Sequence, residues 1–434
     1  MHAIEYCMKP GTLDTTFILK GWFYDPEAIF NNINAIDVFS DGRILVGGHL
    51  EYYRDFEYTT LACINPDGSP NYSYNIDKEM EDVDVVLALK VLPDDSVLVG
   101  NIFSNFENKK RECIIKLKPD GSIDDSFNVS MGTKKPYSKK DLLENFKRAV
   151  KRDNEPKEGV NVNNERNSNV ELVKKIHLLP NDKILLGGSF KMCNGTEANN
   201  IVCINSDGSL DTTLDFGSGF NDLVSSIANL PDGRILVGGS FDTYNGIPCN
   251  RFACLKSDGS LDKSFKIGSG FDAPIYEMVV LPDSRIIVAG AFTQYNGVKC
   301  NHIACLLPNG QLDTSFQSGN GFNAPVSALA ILPDNRLLAG GFFTKYNNVK
   351  RYRLVCLNFD GTINQSFDMG NGFDTSVDFI EKNIEETESP GVFTLYVNIS
   401  VNTFKVLSNR KVLVGGNFFS YNDVPCYRIA CLHV

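Results

Sequence analysis

The most regular feature of the chain is a short, almost wholly apolar run ending in a pair of small residues. RIIVAGAF at Arg285–Phe292 is one copy, preceded by the apolar run IYEMVVLPD, which ends in a Pro-Asp turn. A loop, TQYNGVKCN, a further apolar segment, HIACLLPNG, and a short polar segment, QLDTSF, complete the unit. Each joint carries turn chemistry: Pro-Asp, Tyr-Asn-Gly, Asp-Gly-Ser or Gly-x-Gly-Phe. Segments this short and this evenly punctuated predict strands. The second strand does not alternate, so both its faces are expected to be buried.

The unit recurs. Aligned on the second small residue, seven copies fall at Gly48, Asn101, Gly188, Gly239, Gly290, Gly341 and Gly416. The copies from Gly188 to Gly341 are 51 residues apart, the first interval is 53, and two intervals are enlarged, to 87 and 75. A fixed period with enlarged intervals means a repeat architecture with insertions. Four short strands per period, repeated radially, predict an all-β, seven-bladed β-propeller occupying 1–434 as one domain. The fourth-strand phrase occurs first at Gly11, ahead of any glycine-pair strand, and the chain stops at YRIACLHV where another is due. Thr12–Phe17 is therefore expected to supply the outer strand of the last blade and so close the ring.

The combination PDGRILVGGSF, YNG, DGSLDxSF and GxGF resembles the delta-60 repeat family, whose members form seven-bladed propellers. The resemblance implies a scaffold without a shared catalytic signature, so function has to be sought in sites particular to this chain. The third-strand position that in such repeats often holds a basic residue here holds Cys63, Cys203, Cys254, Cys305, Cys356 and Cys431.

Composition narrows the function classes. The formal net charge is −11, which argues against nucleic acid or an anionic membrane as partner, and no apolar stretch is long enough for membrane insertion. MHAIEYCMKPGTLDTTF does not read as a signal peptide, which with 12 cysteines and no C-x-x-C points to assembly in a reducing cytoplasm. Cys249, Cys300 and Cys426 are read as lying on the same strand as the cysteine five residues on, too far away to pair with it. Five histidines without ligand spacing imply no zinc, and no metal or other cofactor is expected. Asn205, Asp207, Ser209 and Asp211 have oxygens in a calcium-loop order, but the phrase recurs in every blade as a hairpin turn. Asp222, Asp272 and Asp374 are placed near a channel mouth within the repeated links, so they too read as structural.

Departures from the repeat are the informative positions. An insertion at 131–168, between blades two and three, contains Ser138–Arg152, an expected amphipathic helix with Lys147 and Arg148 on its basic face. A second insertion at 376–400, between blades six and seven, starts acidic and ends strand-like. The link after the N-terminal strand holds Trp22, Phe23 and Tyr24. The first blade replaces its Tyr-Asn-Gly loop with a stretch containing Tyr52, Tyr53, Arg54 and Phe56. Aromatics and arginine are the residues of binding hot spots, so these nine side chains form the expected partner-binding set. All four departures are expected on one face.

The leading expectation is a non-enzymatic scaffold docking other protein subunits within a larger assembly, such as a bacteriophage virion near its tail or portal. A receptor- or glycan-binding module is the alternative, and a propeller hydrolase or lactonase the third.

Overall fold

The computed structural model of the chain describes residues 9–17, 32–53, 56–74, 83–103, 113–131, 171–373 and 399–434. Among these residues every regular element is a strand. The expected helix at 138–152 lies outside them, as does all of the second insertion except its last two residues.

Seven units of three antiparallel strands follow one another. In repeat four, Val224–Asn229 pairs with Ile235–Gly239, which pairs with Phe252–Leu255. The first strands of the others are Asn32–Val38, Val83–Val91, Leu172–Leu178, Ile275–Val280, Val326–Ile331 and Ser400–Val406. The sheets of repeats two and three are joined through one residue pair, Ile102 with Leu172. Each first strand lies against that of the next repeat, and Asn32–Val38 lies against Ser400–Val406 as well as Val83–Val91.

The glycine pair explains how neighbouring repeats approach. A Cβ on Gly238 would stand 2.7 Å from Ile275 Cγ2 of the following repeat, and one on Gly415 would stand 2.7 Å from Ile33 Cγ2. The first glycine is thus a socket for the next repeat's first strand. The second serves its own sheet: a Cβ on Gly239 would lie 2.1 Å from the Leu223 carbonyl oxygen, beside the bulge between Val224 and Ser226. Side chains at that bulge reach across to the next repeat. Ser225 Oγ donates to the Ile275 carbonyl at 2.5 Å, Ser327 Oγ to Val401 at 2.6 Å, and Asn34 Nδ2 to Val86 at 3.0 Å. Asn402 Nδ2 makes the same bond to Ile33 at 3.2 Å, from the last repeat to the first.

The expected fourth strand is corrected by the structure. In repeat four it makes a single bridge, Leu255 with Leu261, and then stops. The cause is local: Asp262 Oδ1 accepts both the Ser264 amide, at 3.0 Å, and its hydroxyl, at 2.6 Å. That turn takes the amides a ladder would use. The chain crosses instead to the next repeat, where the Lys266 amide donates to the Asn309 carbonyl at 2.8 Å. The N-terminal segment occupies the equivalent place in the last repeat. Leu13 bridges Leu432, Gly11 N donates to His433 O at 2.8 Å, His433 N to Thr12 O at 2.9 Å, and Asp14 N to Cys431 O at 2.8 Å.

Asp14, Asp211, Asp262 and Asp313 each pair with a cation at the start of the second strand: Lys411, Lys183, Arg234 and Arg285. Repeat two has Ser96 at that place. There Lys116, at the position of the repeated cysteine, supplies the cation 3.8 Å from Asp124. The seventh repeat-equivalent of the six cysteines is therefore a lysine, and cysteine fits where the cation comes from the neighbouring strand. In two repeats the thiol also touches the carboxylate: Cys203 Sγ lies 3.8 Å from Asp211 Oδ2 and Cys305 Sγ 3.7 Å from Asp313 Oδ2.

Cys249, Cys300 and Cys426 are not on their neighbours' strands, contrary to expectation. Each follows a two-residue hairpin strand, for example Ile247–Pro248, ahead of the third strand. All eleven cysteines within the described residues are buried, and none of them forms a disulfide. Burial pushes the thiols of Cys249, Cys254, Cys300, Cys305 and Cys356 up to about 12. Native protein at pH 8 is therefore expected to leave these five unmodified by iodoacetamide over an hour, because the thiolate is the nucleophile. Denaturation should open them all. Mass spectrometry that finds any of the five alkylated in folded protein would contradict their burial.

Candidate functional site

A Tyr-Asn-Gly phrase builds a small hairpin on repeats four and five, and its variants Cys-Asn-Gly, Tyr-Asn-Asn and Tyr-Asn-Asp do so on repeats three, six and seven. In repeat four Thr243–Tyr244 pairs with Ile247–Pro248. Asn245 and Gly246 between them have φ of 50° and 72°, the conformation a tight two-residue hairpin turn requires. Tyr244 is fully buried, and its hydroxyl donates to the Gly259 carbonyl at 2.6 Å. Tyr295, Tyr346 and Tyr421 do the same toward Gly310, Gly361 and Gly11. Asn245 Oδ1 accepts the Gly219 amide at 3.0 Å, and Phe220 stacks on Tyr244 with ring centroids 4.6 Å apart. The hairpin is thereby stapled to the incoming Gly-x-Gly-Phe link.

This rigid base presents an apolar side chain outward. The residue paired with each tyrosine is Ile247, Val298, Val349 or Val424, with 38, 50, 42 and 45% of its surface exposed. Repeat three builds the same hairpin with Thr196 there, so the fold does not require an apolar residue. Lys299 and Lys350 follow two of the four and are exposed, as is Lys345. An arc of β-branched side chains with basic neighbours thus stands on an acidic protein. Between the hairpins of repeats four and five lies a polar cleft of 430 Å³, lined by Asp242, Arg251, Asp272 and Gln294 among others. Arg251 pairs with Asp242 in its lining.

The residues singled out by sequence fare unequally. Trp22, Phe23, Tyr24, Arg54, Lys147 and Arg148 lie outside the described residues. Tyr52 and Tyr53 end the strand Ile44–Tyr53, and Phe56 begins Phe56–Ile64, with Tyr53 paired to Phe56. The first repeat therefore extends its two sheet strands where a loop was expected, and where repeats three to seven fold a separate hairpin. Asp272 is not a channel carboxylate: it accepts the Thr293 and Gln294 amides and the Thr293 hydroxyl, holding the base of a hairpin. Asp222 Oδ1 accepts the Leu223 amide, and Asp374 lies outside the described residues. In the calcium-like phrase, Asp207 accepts the amide and hydroxyl of Ser209, and Asp211 binds Lys183. The arc of Ile247, Val298, Val349 and Val424 was not anticipated. Its signal was present, as an apolar residue directly after each two-residue turn where polar residues are the norm.

Seven segments, residues 40–74, 92–127, 179–214, 230–265, 281–316, 332–367 and 407–433, match the family model described as "Domain of unknown function (DUF5122) beta-propeller". No curated protein matches the chain. Among solved structures, the chain is similar to the extracellular domain of BT3049 from B. thetaiotaomicron at 12% identity and a TM-score of 0.47, covering 94% of this chain and 40% of that one. It thus spans less than half the length of that relative. The WD40 β-propeller domain of Doa1 shows 10% identity and a TM-score of 0.48, over 98% of this chain and 96% of that one. A virginiamycin B lyase from Staphylococcus aureus shows 13% identity and a TM-score of 0.44, over 94% and 96%.

Proposed function

The chain belongs to this β-propeller family, and on that footing we propose that it is a closed seven-bladed ring serving as a non-enzymatic docking scaffold for other proteins. Closure is supported by the N-terminal segment bonded to His433 and Cys431 and by Asn402 reaching Ile33. The docking role rests on one observation, the arc of Ile247, Val298, Val349 and Val424 held outward on hairpins whose fold does not need it. The partner it fits is a protein with an apolar strip edged by carboxylates, which Lys299, Lys345 and Lys350 would meet. Tyr52, Tyr53 and Phe56 of the first repeat, with Trp22, Phe23, Tyr24, Arg54, Lys147 and Arg148, are further candidates for partner binding. A place near the tail or portal of a bacteriophage virion is the narrower form of this reading, to be judged by whether neighbouring genes encode such parts.

Covering one half-exposed valine or isoleucine contributes about 1 kcal/mol, so four contribute about 4 kcal/mol. The variant carrying Ile247→Asp, Val298→Asp, Val349→Asp and Val424→Asp is expected to melt near wild type, since all four side chains are exposed. It should lose co-purification with the native assembly, with affinity lowered by about a hundredfold or more. A variant that folds and still assembles would overturn the docking role of this arc.

A further inference from the structure

The first strands of repeats two to five carry a cluster that the docking role does not use. Repeat three has Lys174, Lys175 and His177 on Leu172–Leu178, Lys90 is on Val83–Val91, and Glu277 is on Ile275–Val280. Lys175 Nζ reaches past repeat four to both Glu277 oxygens, at 3.0 Å each. Glu277 Oε1 also accepts the Ser226 hydroxyl at 2.8 Å and the Met278 amide at 3.0 Å. Glu277 is thus saturated by groups that hold it in place. Lys90 and Lys174 make no hydrogen bond or ion pair among the described residues, although Lys174 lies within the electrostatic reach of both Lys175 and Glu277. Burial disfavours the charged form of Lys174, and Lys90 lies within electrostatic reach of His177 in the same cluster.

Several equivalent positions in other repeats carry small side chains. The position of Lys175 is alanine in repeats one, two and six, as Ala35, Ala88 and Ala328, and that of His177 is alanine in repeats four and six, as Ala228 and Ala330. On the far side the charges cancel: Lys405 pairs with Asp37, whose other oxygen accepts the Val91 amide at 2.8 Å. Burial, with Lys175 and Lys90 nearby, pushes His177 down to about 4, so at neutral pH it is an uncharged polar group. A lysine cluster in which Lys90 and Lys174 lack counter-ions, with burial disfavouring the charge on Lys174, is a site that an oxyanion completes by restoring that charge.

We propose that the first strands of repeats two to five bind a small doubly charged oxyanion, phosphoryl or dicarboxylate, between Lys90, Lys174 and the Lys175–Glu277 pair. The proposal rests on the closed ring but not on the docking role. It is tested by calorimetric titration of the whole chain in low-salt buffer, with inorganic phosphate in one arm and succinate in the other. Saturable one-to-one binding of at least one is expected. Lys174→Met and Lys90→Met should each weaken it about tenfold, and Glu277→Gln, which removes the competing carboxylate, should tighten it several-fold. Thermal melts establish that each variant is folded, and the lysine variants decide if Glu277→Gln is not. The variants should keep their partner binding, which separates this site from the docking arc. No saturable heat in either arm, or lysine variants that bind like wild type, would overturn the proposal.

Discussion

Removal of residues 1–17 is expected to cost about 5 kcal/mol or more of stability and to broaden the unfolding transition. The segment supplies Leu13 to the bridge with Leu432, three backbone hydrogen bonds to the last repeat, and the carbonyl that takes the Tyr421 hydroxyl. Each hydrogen bond contributes about 1 kcal/mol net, and a buried polar group left unpaired costs about 1–3 kcal/mol. The ion pair matters most. Asp14 is almost completely buried and holds Lys411 at 2.6 Å. Burial alone would raise its carboxyl, but the bonds from Lys411 and Thr16 outweigh that and hold it below the ordinary carboxylate range. Asp14→Ala alone, leaving Lys411 without its partner, should cost about 2–3 kcal/mol, less than for a deeply buried pair because Lys411 is a quarter exposed. Urea titration followed by far-ultraviolet circular dichroism measures both. A truncated chain that keeps the wild-type midpoint and slope would show that the first and last repeats do not depend on this clasp.

The second large effect concerns the glycine pairs. Gly239→Ala should destabilise by about 3 kcal/mol or more, because its Cβ would collide with the Leu223 carbonyl oxygen, which is backbone and cannot rotate away. The chain contains its own control. Repeat two has Asn101 at the equivalent place. Its sheet carries an additional irregularity between Val83 and Val85, and both polar atoms of its buried amide lack a hydrogen-bond partner among the described residues. Asn101→Gly should therefore stabilise by about 1 kcal/mol, relief of the unpaired amide exceeding the entropic cost of glycine. Opposite signs for the two substitutions, read from denaturant midpoints, are the signature of a shared steric requirement. A neutral Gly239→Ala would show that the sheet absorbs the methyl group.

The two predictions differ in how visible their basis is in one dimension. The copy at Gly11 stands out in the sequence because a fourth-segment phrase occurs without a preceding strand, and strand register follows from local turn chemistry. The steric role of Gly239 is visible only as recurrence. Its reason is a contact with a residue on another strand.

Local patterns determined the strand-and-turn composition of this chain, its seven-fold period, the tight turns at Asn245–Gly246 and the placement of the N-terminal segment. Each is marked by phrases a few residues long that recur along the chain, so a linear reading reaches them. Tertiary structure alone decided the rest. The Asp262–Ser264 turn and the Asn309 carbonyl together divert the fourth segment to the next repeat, and the second of these is 43 residues from Lys266. Lys116 acts as a cation because Ser96 on the neighbouring strand leaves Asp124 without one. Lys175 and Glu277 are 102 residues apart and meet because the first strands of successive repeats pack side by side. Ile247 and Tyr244 face each other in a two-residue ladder, yet one is exposed and the other buried. Their difference comes from the Phe220 link packing on the tyrosine, a contact made between repeats and written in neither one.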